Sequence, residues 1–180
     1  VNISMQHGEY ILNNGKISNN YAKKGGGLYC LYTFKMYNGE ITNNIATEGY
    51  GGGLAINNYN SGNAMVELNN GTISNNRAEY GMGGGVYGRG GSKIKISSCN
   101  ITNNTAMQGG GVGIEFVSIF ELSGAPVIDG NMAGDERSNL YFPSNTSSVL
   151  QTIIRSIPEG SNLGFSYINT KSNSISNNVP

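Results

Sequence analysis

One short phrase, Asn-Gly-x-Ile-Ser/Thr-Asn-Asn-x-Ala, occurs three times with only conservative changes, at Asn14–Ala22, Asn38–Ala46 and Asn70–Ala78, and each copy is followed by a Gly-Gly-Gly run. A fourth copy, Ser98–Ala106, lacks only the Asn-Gly pair, and a fifth, Val127–Ala133, keeps Ile128, Asn131 and Ala133. The isoleucines of these copies are spaced by 41 − 17 = 24, 73 − 41 = 32, 101 − 73 = 28 and 128 − 101 = 27 residues. A unit that short cannot enclose a core by itself. Periods of roughly 20 to 50 residues belong to solenoids, propellers or arrays, in which each unit covers its neighbour's apolar face.

Inside a unit the apolar residues alternate. Phe34 and Met36, Val66 and Leu68, and Ile94 and Ile96 precede the repeated isoleucine at the same offsets, as Tyr10 and Leu12 do in the first unit. A second alternating pair follows three of the glycine runs: Leu28 and Cys30, Leu54 and Ile56, Val112 and Ile114. Alternation is the signature of strands. With Gly 28 and, by count, Asn 27 of 180 residues, the composition also disfavours helix. Three short strands per unit, repeated, predict an all-β chain: a single-stranded parallel β-helix of about five to seven coils. Parallel crossovers are almost always right-handed, so the same hand is expected here.

The polar residues have places in such a coil. Asn tolerates left-handed backbone, and its amide can bond to the same amide one coil on, so the Asn-Asn column predicts a turn carrying a stacked ladder. The runs Gly25–Gly27, Gly51–Gly53, Gly83–Gly85 and Gly109–Gly111 predict a second turn with positive φ or close backbone approach. None has the Gly-Lys-Ser/Thr ending of a phosphate-binding loop. The column Ser18, Thr42, Ser74, Thr102 and Asp129 is read as a hydrogen-bonded ladder beside the Asn turn rather than an ice-binding face, which requires regular Thr-x-Thr ranks.

These units resemble the right-handed β-helix repeats of bacterial surface proteins, through Gly-Gly-Gly-Leu/Val and Ile-Ser/Thr-Asn-Asn-x-Ala, and are similar in style to the repeats of chlamydial polymorphic outer-membrane proteins. The resemblance spans about Glu9 to Ala133. Beyond it, Ala125–Asn131, Asn139–Ser144 and Pro158–Ser166 look like the closing segment of modular adhesin-like proteins of gut Firmicutes. What the resemblance implies is a bacterial surface or secreted module with no shared functional site. Residues 1–133 are then repeat coils, 134–170 terminal coils and a cap, and 171–180 a linker or the start of a further unit. Because Val1 to Gly8 reads like the tail of an earlier repeat, the chain is expected to be a piece of a longer one.

Composition limits the partners. Lys+Arg 11 balance Asp+Glu 11 and charged residues are only 12%, so no basic face for nucleic acid is visible. There is no run of about 18 apolar residues to cross a membrane as a helix. Cys30 and Cys99 fall about three coils apart, roughly 14 Å at the inter-strand spacing, which is too far for a disulfide. With the single His7 and no Cys-x-x-Cys or His-x-x-His spacing, neither a zinc site nor any other cofactor site is expected.

Enzymes on this scaffold need clustered carboxylates. The only aspartates are Asp129 and Asp135, and Asp135-Glu136-Arg137 reads as a solvated turn near the cap. A non-enzymatic adhesin-like module, monomeric in isolation, is the leading expectation. Its candidate partners are a host or microbial polysaccharide or a surface protein. The alternatives are a carbohydrate-active β-helix whose missing carboxylates lie on a neighbouring domain or subunit, and a stalk with no ligand. Binding residues are sought where coil length varies. The inserts Asn57–Asn63 and Tyr87–Ser92 should be neighbours on one edge, which makes Asn58, Tyr59, Asn60, Tyr87 and Arg89 the candidate carbohydrate contacts. Tyr50 and Tyr80 are expected to pack over the glycine turns.

Overall fold

A computed structural model of the chain describes residues 8–58, 64–117 and 119–142, together with the backbone of two further strands, Gln151–Arg155 and Asn177–Asn178. The first coil runs through β1 (Glu9–Asn13), β2 (Lys16–Ser18), β3 (Tyr21–Ala22) and β4 (Leu28–Cys30). The second repeats it as β5 (Thr33–Tyr37), β6 (Glu40–Thr42), β7 (Ile45–Ala46) and β8 (Leu54–Asn57), and the third as β9 (Met65–Asn69), β10 (Thr72–Ser74), β11 (Arg77–Ala78) and β12 (Val86–Arg89). The fourth is β13 (Lys93–Ser97), β14 (Asn100–Thr102), β15 (Thr105–Ala106) and β16 (Val112–Glu115). The fifth contains β17 (Ile119–Ser123), β18 (Val127–Asp129), β19 (Met132–Ala133), β20 (Glu136–Arg137) and β21 (Leu140–Tyr141); β22 (Gln151–Arg155) and β23 (Asn177–Asn178) extend the first sheet.

Corresponding strands stack into four sheets, parallel throughout except that β20 turns back antiparallel against β19. The result is a β-solenoid of about five turns, with no helix among the described residues. Each unit holds one strand more than its hydrophobic pattern predicts. The extra strand, β3 and its equivalents, is two residues long, too short to display an alternation.

Register follows the repeat. Lys16, Glu40, Thr72, Asn100 and Val127 are opposite one another, and so are the five isoleucines. Phe34, Met36, Ile41, Leu54 and Ile56 of one coil, and Ile94, Ile96, Ile101 and Val112 of another, point into the tube and are fully buried or nearly so. Each such side chain contributes about 1.5–3 kcal/mol of transfer free energy. A slip of one residue would turn the whole set outward, so this register is strongly specified. The alanine of each repeat faces inward from the third sheet, and Ala46, Ala78 and Ala106 form a separate small cluster.

The column Ser18, Thr42, Ser74, Thr102 and Asp129 lies on the second sheet with Thr42 and Ser74 buried, so it forms no open flat face, and it is not the expected hydrogen-bonded ladder: the buried Thr42 hydroxyl has no hydrogen-bond partner among the described residues. At the far end, Gln151–Arg155, with the β-branched Thr152, Ile153 and Ile154 at its centre, is a strand in register with β17. The expected cap falls mostly outside the described residues, as does His7. Asp135 lies in the turn of the β19–β20 hairpin, and Glu136 and Arg137 are exposed on its second strand.

Candidate functional site: the insert edge and the asparagine corner

The two inserts are neighbours. Asn57 lies opposite Arg89, and the Asn58 amide donates to the Arg89 carbonyl at 3.2 Å. Of the five candidate contacts, Tyr59 and Asn60 lie outside the described residues and Asn58 is buried. Tyr87 is not in a loop. It sits in β12 with 1% of its surface exposed, its ring stacked on Tyr50 at 4.4 Å between centroids and 14° between planes. The alternation was concealed by Gly88, an inward position whose missing side chain is replaced by Ile94 Cδ1 of the next coil.

Tyr50 therefore packs over its turn as predicted, whereas Tyr80 is 72% exposed. The Tyr87 hydroxyl donates to Glu115 Oε2 at 2.6 Å, and Arg89 Nε lies 3.5 Å from the same oxygen. Burial first, then the hydrogen bond to Glu115, pushes the Tyr87 phenol above its ordinary range, which keeps it a donor. Arg89 also stands 5.9 Å over the Phe116 ring. Phe116 has φ of 55°, where the third coil has Gly90 at 76°. Glu115, Tyr50 and Phe116, which complete this cluster, carry no repeat signal in the sequence. Among the described residues, Tyr87, Glu115 and Arg89 form a packed phenol–carboxylate–guanidinium lock at this edge.

Several other carboxylates are likewise paired with cations. Lys35 bridges Glu9 and Glu67, and Lys95 lies 3.7 Å from Glu67, giving a column of alternating sign up the first sheet. Lys16–Glu40 at 2.8 Å, Lys23–Glu48 at 3.0 Å and Arg137–Asp129 at 3.6 Å repeat the pattern elsewhere. Among the described residues no group of three or more His, Cys, Asp or Glu is arranged to hold a metal ion. Cys30 and Cys99 are both free and buried.

At the corner between the second and third sheets the two asparagines of each pair divide their work. The second is internal. Asn44 donates its backbone N–H and its Nδ2 to Asn76 Oδ1 at 3.0 and 2.9 Å, and its other amide hydrogen to the Ile17 carbonyl at 3.0 Å. Asn76 repeats this with Asn104, and Asn104 with Asn131. Asn131 in turn donates to Asn139, only eight residues on. The buried amides thus have both donors and the carbonyl oxygen engaged, as burial in a low-dielectric interior demands.

The first asparagine of each pair, Asn19, Asn43, Asn75 and Asn103, has φ of 56–58° and is exposed. Gly130 holds the same place in the fifth coil with φ of 66°. The side-chain amides of Asn43, Asn75 and Asn103 make no hydrogen bond among the described residues, and Asn19 makes only a 3.5 Å contact to Ser18. Beside them, the outward residues of the third sheet, Tyr21, Ile45, Arg77 and Thr105, form the other wall of a trough of about 450 Å³. Tyr21 is 72% exposed. Arg77, the trough's one charged lining residue, lies 3.6 Å from Glu79. This trough was missed in the sequence because both asparagines of the pair were assigned to one ladder.

No protein-family model, curated protein or solved structure matches the chain. Among the described residues there is no helix long and apolar enough to cross a membrane.

Proposed function

We propose that this chain is a non-enzymatic, extracellular adhesin-like module that holds a ligand on the outside of a rigid solenoid. The observation that carries the proposal is the asparagine corner: a rank of exposed amides, of which those of Asn43, Asn75 and Asn103 make no hydrogen bond among the described residues, beside an exposed tyrosine and a single arginine. Such a surface can hold a polar partner but offers neither an acid–base pair nor a nucleophile. The pairing of Glu9, Glu40, Glu48, Glu67, Glu79, Glu115 and Asp129 with lysines and arginines supports the same view, while Asp135 and Glu136 lie exposed in the β19–β20 hairpin. The extracellular setting rests on the resemblance of the repeats to those of bacterial surface proteins.

The test is a retention screen of the chain against host and microbial polysaccharides and surface proteins, with product release followed in the same wells, with and without calcium. Retention without new reducing or unsaturated ends is the expected result. Product formation would mean that the chain is an enzyme, and the absence of both would leave it a stalk.

A further inference from the structure

We propose that the trough at the asparagine corner, rather than the insert edge, is the ligand surface, and that its ligand is a linear neutral polysaccharide lying along the solenoid axis. This deepens the adhesin reading and rests on it. The trough spans four coils, from Asn19 to Asn103. Three inter-strand steps make it about 14 Å long. Along that length an equivalent amide recurs once per coil, close to the repeat of an extended pyranose chain, so that successive sugar units meet successive asparagines.

An amide both donates and accepts, which suits hydroxyl groups whose direction is set only on binding. Tyr21, at one end, has an open ring on which a sugar face can stack. Charge argues for a neutral polymer. Arg77 is already paired with Glu79, and no other lining residue is ionised, so an acidic chain gains no complementary row. An extended peptide has no strand edge to join here, because the backbone at the corner is bonded coil to coil, as in Asn43 N–H to Ser74 O at 3.2 Å and Arg77 N–H to Asn44 O at 2.9 Å.

Gly130 indicates how to test this without disturbing the fold. Glycine accepts the left-handed backbone and removes only the amide. The double variant Asn43→Gly/Asn75→Gly, the unaltered chain and a control variant Lys93→Ala on the first sheet are compared on immobilised xylan, mannan and mixed-linkage glucan, and on polygalacturonate and alginate. Melting curves verify folding for each. The expected result is binding of a neutral polymer that is insensitive to salt, unchanged by Lys93→Ala and weakened at least about tenfold by the double variant, the scale of one to two lost hydrogen bonds. Equal binding by the folded double variant would overturn the placement while leaving the adhesin reading intact. Binding confined to the acidic polymers would overturn the ligand class. Failure of the unaltered chain to bind any polysaccharide would overturn this inference; if it also retained no surface protein in the wider screen, the adhesin reading would fall too.

Discussion

Gly85 and Asn104, one coil apart, share a single space: a Cβ on Gly85 would lie 3.0 Å from Asn104 Nδ2 and 2.7 Å from the Gly111 carbonyl oxygen. The last glycine of each run is therefore the counterpart of the buried asparagine in the following coil. Two motifs that look independent along the chain are one device across it.

Gly85→Ala should accordingly destabilise the protein by about 1–3 kcal/mol, because the methyl group must push apart backbone and ladder at once. Denaturant melts against the unaltered chain measure the loss, and an unchanged midpoint would mean that the stack yields there without cost.

Asn76→Ala should cost more, about 2–5 kcal/mol. It leaves the Asn44 N–H and Nδ2 without their acceptor and takes the Nδ2 donor from Asn104 Oδ1 and from the Ile41 carbonyl, all in the buried interior, with only the backbone N–H of residue 76 still donating to Asn104. The same substitution at the half-buried Asn20, which donates to a single neighbouring asparagine, should cost less. Equal losses at the two positions would contradict the ladder's cooperative role.

Alkaline pH should weaken the fold through Tyr87 and Cys99. Burial, reinforced by the Glu115 hydrogen bond, raises the Tyr87 phenol above 10.0, so the unfolded chain gives up this proton first. Its stabilisation is complete below about pH 10 and is progressively lost as pH rises further. Burial pushes Cys99 up to about 12 from 9.0, with the same sign starting near pH 9. Melting temperatures from pH 8 to 11 should fall less steeply in Tyr87→Phe and in Cys99→Ala than in the unaltered chain.

Lys35→Glu should place three carboxylates in sequence, with Glu9 and Glu67 on either side. Like charges in neighbouring strands repel, and salt screens them. The melting temperature should drop at low salt and recover in part at about 1 M salt; no salt dependence would show that the column sets nothing.

The solenoid was legible because its repeat states inward positions plainly: Ile17, Ile41, Ile73, Ile101 and Ile128 are opposite one another in register. The two-residue strand containing Ala46 was not, since two residues have no period. Tyr87 was misplaced because Gly88 occupies an inward site filled from the next coil, a compensation between residues distant in sequence. The corner was half legible. In the fifth copy the first asparagine becomes Gly130 while Asn131 stays, which already separates a conformational requirement from a chemical one. That the spared amides line a trough depends on the outward residues Tyr21, Ile45, Arg77 and Thr105, which vary freely and carry no pattern.

The bonds from one internal asparagine to another all run in one direction, from each coil to the next, as far as Asn139. The row is an arrow as well as a staple. A coil placed into it must bring its own asparagine at the same point and facing the same way, so the molecule can lengthen or shorten by entire turns, through in-frame duplication or deletion, and not by part of one. Loop length between the turns is free to drift, while the number of turns is counted in whole units.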